Sequence, residues 1–307
     1  PRSFRPFSAL MLLGALLCAA AIIHLGLGAR MIAPRVVVEA LFHYDPRNFD
    51  HRIIVSLRLT RLLAALLTGA SLGAAGLLLQ TVIRNPLGEP HILGLNAGAT
   101  LAVVACSAAG VSFSDWGISR PLAAAGGAAA LFGLVMLLAC AGRAGATAMK
   151  ITLCGVALSA VASAITASIL ILDEQTLQAM RTWLAGDLAG MNFPSLQLAC
   201  LPALLGVLMA ACLTPRLNIL ALGDRVASGL GVSVARTRLL GVVAIALLCG
   251  ASVSIAGPIG FIGLVVPHVI RRWAGQDVRV GLLLALPTGA LLLLLADILA
   301  RWLLAPQ

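Results

Sequence analysis

Nine apolar runs of about the length of a membrane span, parted by short arginine-bearing segments, constrain this chain more than any motif in it. They cover residues 8–28, 60–83, 91–111, 120–142, 149–172, 196–214, 236–256, 258–272 and 279–304. About 20 apolar residues of helix cross the hydrocarbon of a bilayer, where every backbone N–H and C=O must find a partner within the protein. The runs therefore predict an all-α polytopic membrane protein, folded as a single transmembrane domain over 1–307. A hydrophobic content of 61% with 10% charged residues excludes a soluble domain, whose charged share is ~25%. The eighth run is short and contains Pro267 and His268, so it reads as a broken or partly crossing helix.

A net charge of +10 would point to nucleic acid in a soluble protein. Here the arginines lie between apolar runs and read as topology determinants, and no nucleic-acid partner is expected. With the N-terminus inside, 12 of the 21 lysines and arginines fall in cytoplasmic segments and 9 outside, which favours that orientation only slightly. Most of the outer set crowds the loop between the first two runs, an external basic cluster that needs its own explanation. Cys18, Cys106, Cys140, Cys154, Cys200, Cys212 and Cys249 have no C-x-x-C pair and no nearby histidine; they read as small buried apolar residues, with no disulfide or metal role. The first run follows Arg2 and Arg5, lacks a convincing cleavage site before Arg30 and is long enough to span. The chain starts at Pro1 without Met and stops at Gln307 just after an apolar run, so trimming is expected at either end.

One polar island, Pro215 to Arg238, interrupts the hydrocarbon. Leu217, Leu220 and Leu222, then Val226 and Leu230, sit at helical spacing. Asp224 is placed to cap a second helix, and Gly229 and Gly231 to end it. The island reads as two short helices held outside the membrane; the pattern alone also fits a solvated amphipathic loop.

Two helix breaks stand out: Arg84-Asn85-Pro86-Leu87-Gly88-Glu89-Pro90-His91, and Gly257-Pro258-Ile259-Gly260-Phe261-Ile262-Gly263. Non-helical backbone at membrane depth is tolerated where it is buried in protein or lines a cavity, so the breaks mark either a pathway or helix-terminal turns. Gly69, Gly73 and Gly76, and Gly94 with Gly98, form ridges for close helix packing. Asp297 and Arg301 share a helical face as a gate residue or a stabilising pair. The segment 173–187 reads as a short interfacial helix at a pore mouth. No G-x-x-x-x-G-K-[ST] loop, H-E-x-x-H or G-x-S-x-G occurs, so the chain neither hydrolyses nucleotide itself nor carries an enzyme's constellation.

Further groups add to these: Arg58-Leu59-Thr60-Arg61, the Arg84–Pro90 segment with Leu93-Gly94, Leu153-Cys154-Gly155-Val156-Ala157-Leu158-Ser159, and Trp183-Leu184-Ala185-Gly186. After them come Leu220 to Asp224 with Leu230-Gly231-Val232, Gly257 to His268, and Ala296 to Arg301. In this order and spacing, from about Arg58 to Pro306, the chain resembles the permease subunits of type II ABC importers, which take up ferric siderophores, haem and cobalamin.

The resemblance implies about ten transmembrane helices per subunit in two related halves, nine of them visible here; the tenth is expected to be cut off or unseen. It implies a multi-pass protein of the bacterial inner membrane, embedded in lipid and paired with a second permease copy. Two ATP-binding subunits would hold the ATP and magnesium, this chain having no cofactor or metal of its own, and a periplasmic binding protein would deliver cargo. Leu217, Leu220, Leu222, Gly223, Asp224, Val226, Leu230, Gly231 and Val232, in the coupling segment 217–232, would dock the ATPase. Arg58, Arg61 and Arg301 would receive acidic residues of the binding protein, which gives the external basic cluster a purpose. Asn85, Leu87, Thr147 and Met149 would form a cytoplasmic gate, with Ser159, Ser163, Met180 and Arg181 along the pathway. Iron chelates are the preferred cargo, haem or cobalamin the alternative; a secondary transporter is a more distant reading.

Overall fold

The computed structural model describes residues 6–28, 31–111, 120–141, 147–188 and 191–303. Arg2, Arg5, Arg30 and Arg143, and the last residues of the fourth and ninth apolar runs, lie outside the described residues. Helices follow in the order α1 (Pro6–Gly26), α2 (Pro34–Phe42), α3 (Phe49–Ile53), α4 (Leu59–Val82), α5 (Leu95–Ala108), α6 (Arg120–Cys140) and α7 (Ala148–Leu172). Then come α8 (Glu174–Leu184), α9 (Phe193–Ala221), α10 (Asp224–Gly229), α11 (Val234–Ala256), α12 (Ile262–Ala274) and α13 (Val278–Leu303). Among the described residues there is no strand, and 7 helices are long and apolar enough to cross a membrane.

Three expectations are corrected. The third run is a helix only over Leu95–Ala108, 14 residues; Pro86 and Pro90 remove backbone donors and Gly94 turns at φ 90°, so residues 83–94 stay in turns. The loop after the first run is largely helical: α2 begins at Pro34, Asn48 caps α3 by accepting from Asp50 N, and α3 continues into α4 through one wide turn at Ile54–Arg58. The first of the two short island helices is instead the end of α9, which runs through Pro215. The ring leaves the Ala211 carbonyl without its helical donor, and the Thr214 hydroxyl supplies one at 2.8 Å.

The two halves are visible in the packing. In the first, α4 leads through a break to α5 and α6; in the second, α11 leads through a break to α12 and α13. Each lead helix packs on the other half, α4 against α12 and α13, α11 against α5 and α6, and the two lead helices pack on each other at the centre. Glycine makes these approaches possible: a Cβ on Gly76 would overlap the Gly263 carbonyl, and one on Gly250 would come within 2.5 Å of the Ala125 backbone.

The breaks are bonded across the halves. Phe261 N donates to Glu89 Oε1 at 2.6 Å, and Asn96 Nδ2 to Ile259 O at 2.8 Å. Gln80 Nε2 reaches Gly88 O at 3.2 Å and, at 3.4 Å, Gly263 O, the carbonyl that Pro267 leaves without its helical donor. With ~1.5 Å of rise per residue, α12 falls short of a full crossing, as its length in sequence predicted. Of the cysteines only Cys249 is buried; Cys18, Cys140, Cys200 and Cys212 are exposed. They stand on exposed helix faces instead of in the core, a position a thiol tolerates as a small, weakly polar group.

Candidate functional site

At one end of the bundle α9 and α10 make a knob. Gly223 (φ 117°) and Gly231 (φ 79°) stand either side of α10, in a backbone region that favours glycine. Leu217 and Leu220 are fully buried, so these two anchor the knob instead of offering a surface, and Ala227 is buried with them. The reason is register: once α9 continues through Pro215, positions 217 and 220 turn toward the core. Leu222, Val226 and Leu230 point away, exposed by 66%, 46% and 61%, while Val232 packs half-buried on the core.

Asp224 does not cap α10, as its position in sequence had suggested; Gly223 takes the cap position. The carboxylate is used sideways: Oδ1 lies 2.9 Å from an Arg238 terminal nitrogen and 3.3 Å from one of Arg84. Behind the knob Asn218 donates to Asp277 Oδ1 at 2.9 Å and accepts from Val278 N at 2.8 Å, clamping α9 to the start of α13. The Asn218 bond, with the Arg279 amide, holds the Asp277 carboxyl below the usual carboxylate range.

Arg84 itself takes φ 51° and opens the first break. Asn85 Oδ1 accepts from Leu87 N at 3.0 Å and Asn85 O from Gly88 N at 3.0 Å, a closed turn that leaves Leu87 73% exposed. Thr147 caps α7, accepting from Lys150 N at 3.3 Å, and Met149 beside it is exposed. Leu153, Val156, Val161 and Ile165 continue that bare stripe along α7, apolar surface that none of the described helices covers. Ser159 Oγ donates to Ile92 O at 3.3 Å. Ser159 and Ser163 line a cleft of about 280 Å³ with His91, Thr100 and Thr166.

The opposite end is dominated by charge. Asp297 accepts from Arg61 through both oxygens (3.1 and 2.7 Å), from His24 Nε2 at 2.8 Å, and lies 3.2 Å from Arg301 Nε. Arg301 also donates to Leu27 O and His24 O, and Arg58 to Leu25 O and Gly26 O. The three arginines expected to receive acidic residues of a binding protein are thus bonded within the chain, Arg58 buried and Arg61 and Arg301 keeping part of their surface open. On α8, Asp173 caps the helix; bonds from the Thr176 hydroxyl and amide and the Gln175 amide hold its carboxyl below the usual range. Trp183 Nε1 donates to Val253 O at 2.7 Å, Arg120 lies 4.6 Å above its ring, and Met180 rests beside Arg120, with Arg181 exposed.

Glu89, buried to 4% exposure, had no part in the sequence reading beyond its motif. A carboxylate between two prolines looks like surface turn chemistry, and only the re-entry of the break places it inside. The partners of Asp224 were missed too, although a lone acid among arginines was the available signal.

The chain matches the FecCD transport family over residues 16–307. It is 40% identical over 286 residues to the ferric enterobactin transport system permease protein of Escherichia coli (strain K12), covering 93% of this chain and 85% of that one. To the iron(3+)-hydroxamate import system permease protein of Bacillus subtilis (strain 168) it is 38% identical over 293 residues, 95% of this chain and 75% of the relative. A solved structure described as an inward-facing conformation of a metal-chelate type ABC transporter superposes with a TM-score of 0.80 at 29% identity, over 97% of this chain and 91% of that one. With the exchanged lead helices, the bonded breaks and the knob in place, these likenesses decide the question: the chain belongs to the FecCD transport family.

Proposed function

We propose that this chain is the transmembrane permease of an ATP-driven importer, passing an iron chelate from a periplasmic binding protein to the cytoplasm of a bacterium across its inner membrane. The observation that carries it is the knob: three large apolar side chains, Val226 on α10 and Leu222 and Leu230 just before and after it, are held out, with Leu217 and Leu220 used as anchors, in a chain with no nucleotide-binding loop of its own. Such a surface fits a soluble partner that supplies the driving force. ATP binding closes two ATPase subunits, their surfaces move α10 in each of two permease copies, and the halves rock so that the path opens outward; hydrolysis resets it. The bare stripe of α7 would face the path and the second copy.

Arg61 and Arg301 would meet carboxylates of the binding protein with the part of their surface left open. Their internal bonds pre-set both guanidinium planes, so little ordering remains to be lost on encounter. Iron chelates are favoured over haem or cobalamin by the names of the relatives, which include enterobactin and hydroxamate permeases. A secondary transporter would need an ion site of available carboxylates or unwound carbonyls, and Asp297 is ringed by Arg61, Arg301 and His24.

Proteoliposomes holding the permease with its ATPase should accumulate ferric chelate only when ATP is inside the reaction with them and loaded binding protein is present. Uptake that persists without ATPase would sink the reading. Calorimetric titration of the binding protein against ferric siderophores, haem and cobalamin fixes the cargo, tight binding of either of the last two replacing the iron assignment.

A further inference from the structure

We propose that Arg84 and Asp224 are positioning residues of the transport cycle: their ion pair carries the movement of α10 to the turn bearing Asn85 and Leu87. This rests on the ATP-driven reading above and adds to it the route by which a push on the knob reaches the gate. Asp224 is the first residue of α10, so its carboxylate moves with that helix. Arg84 sits at the other end of the link, at φ 51°, and the turn that follows is closed on itself by the two bonds of Asn85. Arg84 to Gly88 therefore shift as one piece.

Oδ1 of Asp224 is shared. Arg238, on the centrally packed lead helix α11, holds it at 2.9 Å, and Arg84 reaches the same atom at 3.3 Å. One partner is fixed and the other belongs to a turn. A small rotation of α10 favours one contact over the other, which is what a two-position link requires. All three side chains are part-exposed, 42% for Arg84, 41% for Asp224 and 29% for Arg238; ion pairs of this kind are weak enough to break and remake. Gly223 lies beside the link: a Cβ there would stand 3.5 Å from an Arg84 terminal nitrogen, an ordinary contact distance, and its φ of 117° is what calls for glycine at the hinge between α9 and α10.

The test uses the assembled permease and ATPase in proteoliposomes with loaded binding protein. Arg84→Gln should leave assembly and ATP hydrolysis unchanged while chelate taken up per ATP falls about fivefold or more, the lower end of ordinary site-to-site coupling. Arg84→Lys should restore most of the loss. A cysteine introduced by Leu87→Cys should change its labelling rate on ATP binding in the otherwise native chain, and that change should vanish beside Arg84→Gln. Unaltered uptake per ATP, an ATP-dependent labelling change that survives Arg84→Gln, or hydrolysis and assembly lost together with uptake would each overturn the proposal. If the unsubstituted complex takes up chelate without ATP, the ATP-driven reading fails first and this inference with it, an outcome visible before any variant is made.

Discussion

The two ends of the bundle handle their polar and apolar groups in opposite ways. At the α8 end, three arginines, a histidine and Asp297 satisfy one another and the carbonyls at the end of α1, across helices far apart in sequence. At the α10 end the acids are part-exposed and apolar side chains stand in the open. A network bonded mostly within the chain holds helices together, whereas the apolar surface left uncovered at α10 is what the proposed ATPase would cover. The difference separates the contacts that keep this fold from the surface through which the proposed importer would be driven.

The sharpest way to break that contrast is to remove Asp297. Asp297→Ala leaves Arg61 and Arg301 facing each other in a half-buried site, and losing one partner of a buried ionic cluster costs roughly 3–5 kcal/mol. Thermal unfolding of the purified permease should show a large drop, with α1 loosened as judged by proteolysis between α1 and α2. A variant as stable as the parent would mean the network contributes nothing and the ends are alike. Next in size is the knob. Leu222→Asp with Leu230→Asp puts charge on exposed positions, where stability moves by no more than about 0.5 kcal/mol, but ATPase binding should weaken by tenfold or more, about 1.4 kcal/mol. Pull-down titration against the ATPase, run beside the same melting curve, checks both halves; unfolding without loss of binding would reverse the assignment.

The spans were legible because hydrocarbon selects for long uncharged runs, and apolar periodicity hardly matters when a helix is covered on all sides. α6, α7 and α11 could be placed within a few residues for that reason. What escaped was whatever depends on contacts between distant segments. Leu217 and Leu220 looked equivalent to Leu222 in spacing, and only the continuation of α9 through Pro215 turns the first two inward. Arg58, Arg61 and Arg301 carry the same charge whether they face water or Leu25 and Asp297, and sequence gives no measure of which. Glu89 is hidden for the same reason: its partner, the Phe261 amide, lies 172 residues away.

The smallest effect bears on how little an exposed carboxylate contributes at the α10 end. Asp277 accepts from Asn218 and Arg279 N, and these bonds favour its charged form, so its folded pKa lies below the ordinary ~3.9. A carboxylate shifted down stabilises the fold above its unfolded pKa and loses that contribution as pH falls through the lower folded value. Between pH 8 and 5 the clamp of α9 on α13 should therefore be constant, with any loss confined below pH 4 or so. Asp277→Asn should lower stability at neutral pH by less than about 0.5 kcal/mol, because the group is solvated, and should flatten the acid limb of the melting profile. If instead it costs as much as Asp297→Ala, the exposed acids of the knob hold the fold as firmly as the buried cluster does, and the division of labour between the two ends is gone.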